Sequence, residues 1–213
     1  MRPRRRAGRN RGRRIAGRLQ HIQTRMAVLI LTHGAGSNRD APLLLAIGAL
    51  FESVGYAVER VNLAFRDARP SGPPRPADAA RDRAGLLRAV DAVRARGEGS
   101  LFLGGVSYGG RQASMLAAEH PGLVDALLLL SYPLHPPGAP ERLRTQHFPR
   151  LRTPAVFVHG TKDPFGSIHE LTAAIAAIPA QTALLQIIGA GHDLRAGRGW
   201  PSESLVRLIQ SLL

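Results

Sequence analysis

A serine framed by glycines stands in the segment Gly105–Gly109 (GVSYG), which matches the G-x-S-x-G pattern of a nucleophile elbow. In such an elbow a strand turns sharply into a helix, and the flanking glycines let the two elements approach without Cβ clashes. The serine hydroxyl is then exposed beside the positive end of the helix, where it can attack an acyl carbon. The spacing predicts Ser107 as a nucleophile. A glycine-rich tight turn without chemistry is the alternative interpretation.

A serine hydroxyl needs a neighbouring base, and behind such an elbow the order along the chain is Ser, then acid, then His. Two histidines follow Ser107 at a useful distance, His169 and His192. His169 lies in the first turn of the predicted helix Ser167–Ala177, where capping or solvent exposure explains it. His192 lies in a glycine-framed loop (GAGHD) directly after a predicted strand. His192 is therefore the predicted general base, with a turn histidine of no chemical role as the alternative.

The acid that orients the histidine is expected at the end of another strand. Asp163 follows the predicted strand Ala155–His159 in the segment HGTKDP. Glu141 and Asp125 are alternatives, but Glu141 lies in a long loop and Asp125 precedes a strand. Asp163 is the predicted third member of the triad. An N-cap or Asx turn before the following proline is the alternative interpretation of this residue.

An acyl-transfer site also needs donors for the oxyanion of the tetrahedral intermediate. One predicted donor is the backbone N–H of Tyr108, which follows the nucleophile, and the other is the backbone N–H of Ala35 in the loop His33–Gly36. We interpret His33 as structural rather than catalytic, and we also count it among the residues that lie near the substrate.

Strands must alternate with helices for these residues to meet. Short apolar runs predict six strands, namely Ala27–Thr32, Ala57–Leu63, Leu101–Val106, Val124–Ser131, Ala155–His159 and Thr182–Ile188. Amphipathic stretches predict five helices, namely Asp40–Val54, Asp78–Arg96, Gly109–Glu119, Ser167–Ala177 and Ser202–Leu212. This order predicts an α/β fold whose mostly parallel sheet has helices on both faces. Ligands then bind at the carboxyl ends of the strands, where the predicted residues lie.

Two loops rich in proline, 64–77 and 132–152, are expected to cover the site, because no inserted cap domain is present, and the loop 64–77 is expected to have no regular structure. Their arginines form a basic rim that would favour a carboxylated ester, although ordinary surface arginines explain them equally well. The rim arginines are Arg66, Arg69, Arg75, Arg142, Arg144 and Arg150. His135 and Phe165 are further candidates for contact with the substrate, and Arg111, after the elbow, is interpreted as structural.

The net charge of +14 is concentrated at one end of the chain. Residues 1–25 contain ten arginines and no acidic residue, and residues 26–213 carry 19 basic and 15 acidic side chains. The arginine-rich segment has four interpretations: a nucleic-acid or membrane-surface arm, a targeting signal, a disordered tail, or sequence upstream of a true start at Met26. We expect two regions, this segment at 1–25 and one catalytic domain at 26–213.

The absence of cysteine excludes disulfides, thiolate metal sites and a cysteine nucleophile, and it fits a reducing, cytoplasmic compartment. No run of 18 apolar residues predicts a transmembrane helix. We expect a small-molecule substrate, no cofactor, no metal and no membrane partner. Nucleic acid would bind only through residues 1–25.

Four segments carry a resemblance to a known superfamily, namely THGAGSNRDAPLL, GGVSYGGRQASM, SYPLHPPG and VHGTKDPFG. They resemble the α/β-hydrolases, and within these a small group without a lid that is similar to the dienelactone-hydrolase-like proteins. They are also similar to the hydrolase-like domain of a non-specific-lethal histone acetyltransferase complex subunit and its testis-expressed relative. The resemblance covers residues 26–213 and implies a triad of Ser107, Asp163 and His192.

The chain departs from this pattern in two respects. The antiparallel strands that usually precede the first parallel strand are not evident in residues 1–25, and dienelactone hydrolases use a cysteine nucleophile, which this chain lacks. The expected function is cleavage of an ester or related acyl bond through an acyl-enzyme. The alternative is a non-catalytic interaction module on the same fold.

Overall fold

A computed structural model describes residues 26–97, 99–195 and 200–212, so the arginine-rich segment 1–25 lies outside the described residues. Its six strands form one parallel sheet in the order β2-β1-β3-β4-β5-β6. The strands are β1 Val28–Thr32, β2 Ala57–Val61, β3 Leu101–Val106, β4 Ala126–Leu130, β5 Ala155–Gly160 and β6 Thr182–Ile187. The six predicted strands are confirmed, with ends that differ by no more than two residues.

The helices cover both faces of the sheet. They are α1 Pro42–Ser53, α2 Ala64–Ala68, α3 Asp78–Ala95, α4 Tyr108–Glu119, α5 Ile168–Ile175 and α6 Ser202–Gln210, with one 3₁₀ turn at Phe148–Arg150. Helices α1 and α6 pack on one face, and α3, α4 and α5 pack on the other. Successive residues of the central strands alternate between these two cores: in β3, Phe102 faces α1 and α6 while Leu103 faces α3 and α4. Burial on both faces explains why these strands read as continuous apolar runs.

Two local predictions were wrong. The loop 64–77 was expected to have no regular structure, but it begins with α2. A helix of one or two turns is unstable alone, and α2 forms because Phe65 is fully buried in the core and its N–H donates to Asp82. The first helix was expected to begin at Asp40, but α1 begins at Pro42 with Ala41 as its N-cap, because proline suits the first helical turn.

In the part of the chain that the structure describes, no helix has the length and apolar character needed to cross a membrane. The same residues contain no group of three or more His, Cys, Asp or Glu side chains that could hold a metal ion.

Candidate active site

The elbow after β3 holds Ser107 in a strained backbone conformation, with φ 52° and ψ −116°. Its backbone N–H donates to the carbonyl of Leu130 on β4 at 2.8 Å. A Cβ on Gly105 would lie 2.6 Å from the backbone of Gly110, and a Cβ on Gly109 would lie 2.4 Å from the carbonyl oxygen of His33. The turn is therefore possible only with glycine at these positions. Gly110 belongs to the same close contact although it lies outside the G-x-S-x-G pattern.

The three predicted triad residues form one chain of hydrogen bonds. Nε2 of His192 lies 2.8 Å from Oγ of Ser107, and Nδ1 of His192 lies 2.8 Å and 3.0 Å from the two carboxylate oxygens of Asp163. The carboxylate accepts the proton on Nδ1, which leaves Nε2 free to accept the serine proton. The side chain of Asp163 is fully buried, while His192 is about a quarter exposed toward the cavity. The arrangement can activate a serine hydroxyl for attack on a carbonyl carbon.

Close packing of two loops brings the acid and the base together. Gly160, at the end of β5, packs so tightly against the loop after β6 that a Cβ would lie 2.4 Å from the carbonyl oxygen of Ala190 and 2.5 Å from that of Gly191. The N–H of Lys162 donates to the carbonyl of Ala190 at 2.9 Å. These contacts fix the segment before His192 against the segment before Asp163.

A second buried histidine, His159, lies behind the acid. Its Nε2–H donates to the carbonyl of Gly166 at 2.8 Å, and the same nitrogen lies 3.7 Å from Oδ2 of Asp163. Burial lowers the pKa of His159, so its ring is neutral at physiological pH. His159 therefore carries no positive charge that would compete with His192 for the carboxylate of Asp163. The sequence pattern did not point to His159, because only the tertiary packing places it beside the acid.

The loop after β1 presents the predicted oxyanion donors to the same cavity: Ala35 and Tyr108 both line the space in front of Ser107. His33 fixes the peptide that carries the N–H of Ala35. Its Nε2 accepts the N–H of Leu63 at 3.1 Å, so Nδ1 carries the proton and donates to the carbonyl of Gly34 at 2.8 Å. Because the C=O and N–H of a trans peptide point in opposite directions, this bond turns the N–H of Ala35 away from His33.

Arg66 was predicted to lie on the rim of the site. In the structure it is buried, and its side chain supports the loop after β1. Its guanidinium donates to the carbonyls of Ser37 at 2.8 Å and of Ala35 at 3.0 Å, and also to those of Gly72 and Arg69. Five N–H donors in a planar fork suit such a cluster of carbonyls. Arg66 thus joins the loop 64–77 to the oxyanion loop.

Tyr108 is fixed by a residue that no sequence pattern indicated. Its hydroxyl donates to the fully buried carboxylate of Asp82 on α3 at 2.8 Å, and the other oxygen of Asp82 accepts the N–H of Phe65. Burial, and then this carboxylate, raise the pKa of Tyr108, so the hydroxyl keeps its proton. Only the fold shows this role, since an aspartate in an arginine-rich helix looks like part of a solvated face.

The cavity in front of Ser107 has a volume of about 910 Å³. Phe165 lines it and stacks on the His192 ring, with 4.1 Å between centroids and 31° between planes. His33 and His135, the other two predicted substrate neighbours, do not reach its wall. The ring of His33 forms hydrogen bonds with the backbone, as described above. Nδ1 of buried His135 contacts the carbonyl of Pro136.

The predicted rim arginines separate into several groups. Arg75 and Arg144 line the cavity, and so does Arg111, which was interpreted as structural. Arg69 pairs with Asp78 at 2.7 Å. The exposed residues Arg142 and Arg150 lie away from the cavity wall.

The remaining predicted alternatives lie outside this arrangement. Asp125 directly precedes β4 and accepts the N–H of Leu101 at 2.6 Å. Glu141 is exposed and forms no ion pair within the described ranges. His169 is in the first turn of α5, which a capping box of Ser167 and Glu170 begins.

Comparison with proteins of known structure agrees with this architecture. A dienelactone hydrolase from Anabaena variabilis is 21% identical, with a TM-score of 0.67, over 89% of this chain and 86% of its own. Est1E from Butyrivibrio proteoclasticus is 15% identical, with a TM-score of 0.72, over 89% of each chain. A protein of the alpha/beta hydrolase superfamily from Xanthomonas campestris pv. campestris is 26% identical, with a TM-score of 0.60, over 86% of this chain and 98% of its own.

These neighbours confirm the predicted fold class and the resemblance to dienelactone-hydrolase-like proteins. The resemblance to the acetyltransferase complex subunit and its testis-expressed relative stays a prediction. A family model described as an alpha/beta hydrolase domain matches residues 25–206. Since that match spans far more than half of the chain, the protein belongs to this alpha/beta hydrolase domain family.

Proposed function

We propose that this protein is a serine hydrolase that cleaves an ester bond of a small molecule through an acyl-enzyme. The observation that carries the proposal is the continuous hydrogen-bond chain Ser107–His192–Asp163, with 2.8 Å between the serine oxygen and the ring nitrogen. A non-catalytic module has no need of such contacts, and a ring several ångström from the serine would have favoured that alternative. The distance supports the enzyme.

In the proposed reaction the Ser107 oxygen attacks the ester carbonyl carbon while Nε2 of His192 takes the hydroxyl proton. The N–H groups of Ala35 and Tyr108 stabilise the oxyanion, and Asp163 stabilises the imidazolium. Collapse of the intermediate expels the alcohol, which receives the proton from His192. Water, deprotonated by the same ring, then attacks the acyl-enzyme and releases the acid. No step draws on a group from outside the chain other than water.

Labelling with a fluorophosphonate probe tests this proposal. We expect the wild-type protein to form a covalent adduct at Ser107, because an activated serine displaces the fluoride from phosphorus. Ser107→Ala should not be labelled, and Ser53→Ala, at the exposed end of α1, should be labelled as the wild type is. Intact-mass spectrometry measures the adduct and circular dichroism checks the fold. A folded wild-type protein that takes no label contradicts the proposal.

A further inference from the structure

Of the three arginines that line the same cavity as the nucleophile, Arg75 is exposed, while Arg111 and Arg144 are half-buried. Arg111 follows Ser107 by four residues on α4, and its N–H donates to the Ser107 carbonyl at 2.9 Å, so the two residues share one face of the first helical turn. Arg144 comes from the loop 132–152 and lines the same cavity. The elbow and the covering loop thus each supply one guanidinium.

Neither guanidinium forms an ion pair with a carboxylate of the described chain. Nε of Arg111 is buried and has no hydrogen-bond partner. Within the residues that the structure describes, the Arg144 side chain donates one hydrogen bond, of 3.4 Å, to the carbonyl of Pro133. A buried guanidinium N–H without a partner is costly, because it has lost its hydrogen bond to water. Both side chains are half-buried, and this combination is typical of a site that awaits an anion.

The groups around the two arginines do not neutralise them. Burial and then the charge of Arg111 lower the pKa of His147 to about 4, so this ring is neutral. Burial raises the pKa of Tyr132, so its hydroxyl is also neutral. The pKa of Arg144 is itself lowered, by burial and then by the charge of Arg111. The two arginines therefore repel each other, and neither His147 nor Tyr132 offers them a negative charge.

The acidic side chains at and near the cavity already have partners. Asp193, which follows His192 in the chain, lines the cavity and pairs with Arg195 at 3.5 Å. Asp78 pairs with Arg69 and Arg81, and Asp82 accepts the Tyr108 hydroxyl.

We propose that Arg111 and Arg144 bind a carboxylate carried by the substrate, so that the preferred ester has a free carboxylate close to the scissile bond. This inference rests on the serine hydrolase function proposed above and adds the substrate class to it. Guanidinium groups hold carboxylates through paired, charge-assisted hydrogen bonds. An anion fixed one helical turn from Ser107 places the ester carbonyl against the nucleophile.

Two pairs of esters test the proposal, each matched in shape and differing in charge. The first pair is 4-nitrophenyl hydrogen glutarate and its neutral methyl ester, with the carboxylate on the acyl side. The second is 4-acetoxybenzoate and its neutral methyl ester, with the carboxylate on the leaving group. We expect kcat/KM of the wild type to favour the charged member of one pair at least tenfold. The pair that shows the preference assigns the side on which the carboxylate lies.

Arginine variants connect that preference to the two side chains. Arg111→Gln and Arg144→Gln should each reduce kcat/KM for the charged ester tenfold or more, while kcat/KM for its neutral partner stays within about threefold. Arg142→Gln, an exposed arginine two residues before Arg144, is the matched control and should keep the wild-type preference. Equal losses on both esters, or a wild type without preference, overturn the proposal.

A binding measurement separates this proposal from the hydrolase function. Glutarate should raise the Tm of the wild type at constant ionic strength, dimethyl glutarate should not, and the effect of glutarate should disappear in Arg111→Gln and Arg144→Gln. A wild type that cleaves no ester but shows this pattern keeps the carboxylate site and loses the hydrolase function. A wild type that cleaves neutral esters but shows no response to glutarate keeps the hydrolase function and loses the carboxylate site.

Discussion

At the scale of single residues, Asp163 has a second bond that limits what can replace it. Oδ1 accepts the N–H of Phe165 at 2.9 Å, in addition to facing Nδ1 of His192. An asparagine would turn its carbonyl oxygen toward the Phe165 N–H, because that oxygen is its only side-chain acceptor. Its NH₂ group would then face Nδ1 of His192 and force the proton onto Nε2. The ring would no longer accept the serine proton.

Asp163→Asn should therefore lower kcat on an ester substrate by on the order of 10⁴-fold while the fold is retained. Steady-state kinetics and circular dichroism measure the two effects. Glu141→Gln, which removes the exposed alternative acid, should leave kcat unchanged. A comparable loss of kcat in Glu141→Gln would contradict the assignment of Asp163 as the acid of the triad.

The triad could be predicted from the sequence because each member follows a strand, and parallel strands end at one edge of the sheet. Asp82 could not be predicted in this way. Its two bonds join α2, α3 and α4, and no local pattern shows that these three helices meet. The same applies to Arg66, whose partners lie up to 31 residues earlier in the chain.

At the scale of elements, the contact between the end of β5 and the loop after β6 decides whether acid and base meet. Gly160 has no room for a side chain, because a Cβ atom there would lie within 2.5 Å of two carbonyl oxygens. Carbonyl oxygens of the backbone cannot move aside as the end of a flexible side chain does. A methyl group here would separate the loop of His192 from the loop of Asp163.

Gly160→Ala should destabilise the fold by about 1–3 kcal/mol and lower kcat roughly tenfold or more. Urea unfolding and ester kinetics measure the two effects. Gly85→Ala is the matched control, because Gly85 lies inside α3, where an added Cβ would have its nearest neighbouring atoms at 3.7 Å. This control should keep kcat and gain up to about 1 kcal/mol of stability, since alanine favours the helix. The inference about the two loops fails if both variants have wild-type kcat.

Element boundaries were predictable where glycine ends a helix. Gly55 and Gly97, with φ values of 90° and 68°, follow α1 and α3 as the sequence indicates. Helix α2 was not predictable, since proline and arginine dominate its segment and the stabilising contacts of Phe65 and Arg66 come from distant parts of the chain.

At the scale of the whole molecule, three buried histidines make the fold sensitive to acid. His33, His147 and His159 are neutral in the folded protein, and burial lowers the pKa of each below the ordinary value of 6.5. The unfolded chain binds protons at these positions below pH 6.5, while the folded chain binds them only at lower pH. The free energy of unfolding therefore falls as pH falls below that value.

For His147, whose pKa is about 4, the loss between pH 6.5 and 4 should reach about 3 kcal/mol. Urea unfolding at a series of pH values from 7.5 to about 4 measures it for the wild type and for His147→Gln. Glutamine can still bond to Ser114 but does not titrate, so the variant should lose less stability on acidification. Parallel pH profiles of the two proteins contradict this assignment.

The segments that cover the cavity are separate from the strands that position the triad. Substrate specificity can therefore change while the triad stays the same. The roof comes from residues 74–76 and from Pro133 and Arg144, while the triad depends on β3, β5 and β6. Replacing the roof can therefore redirect the enzyme to new substrates without rebuilding its chemistry. Arg66 sets the limit of such grafting: an exchanged segment must begin after Gly72, or the oxyanion loop loses its support.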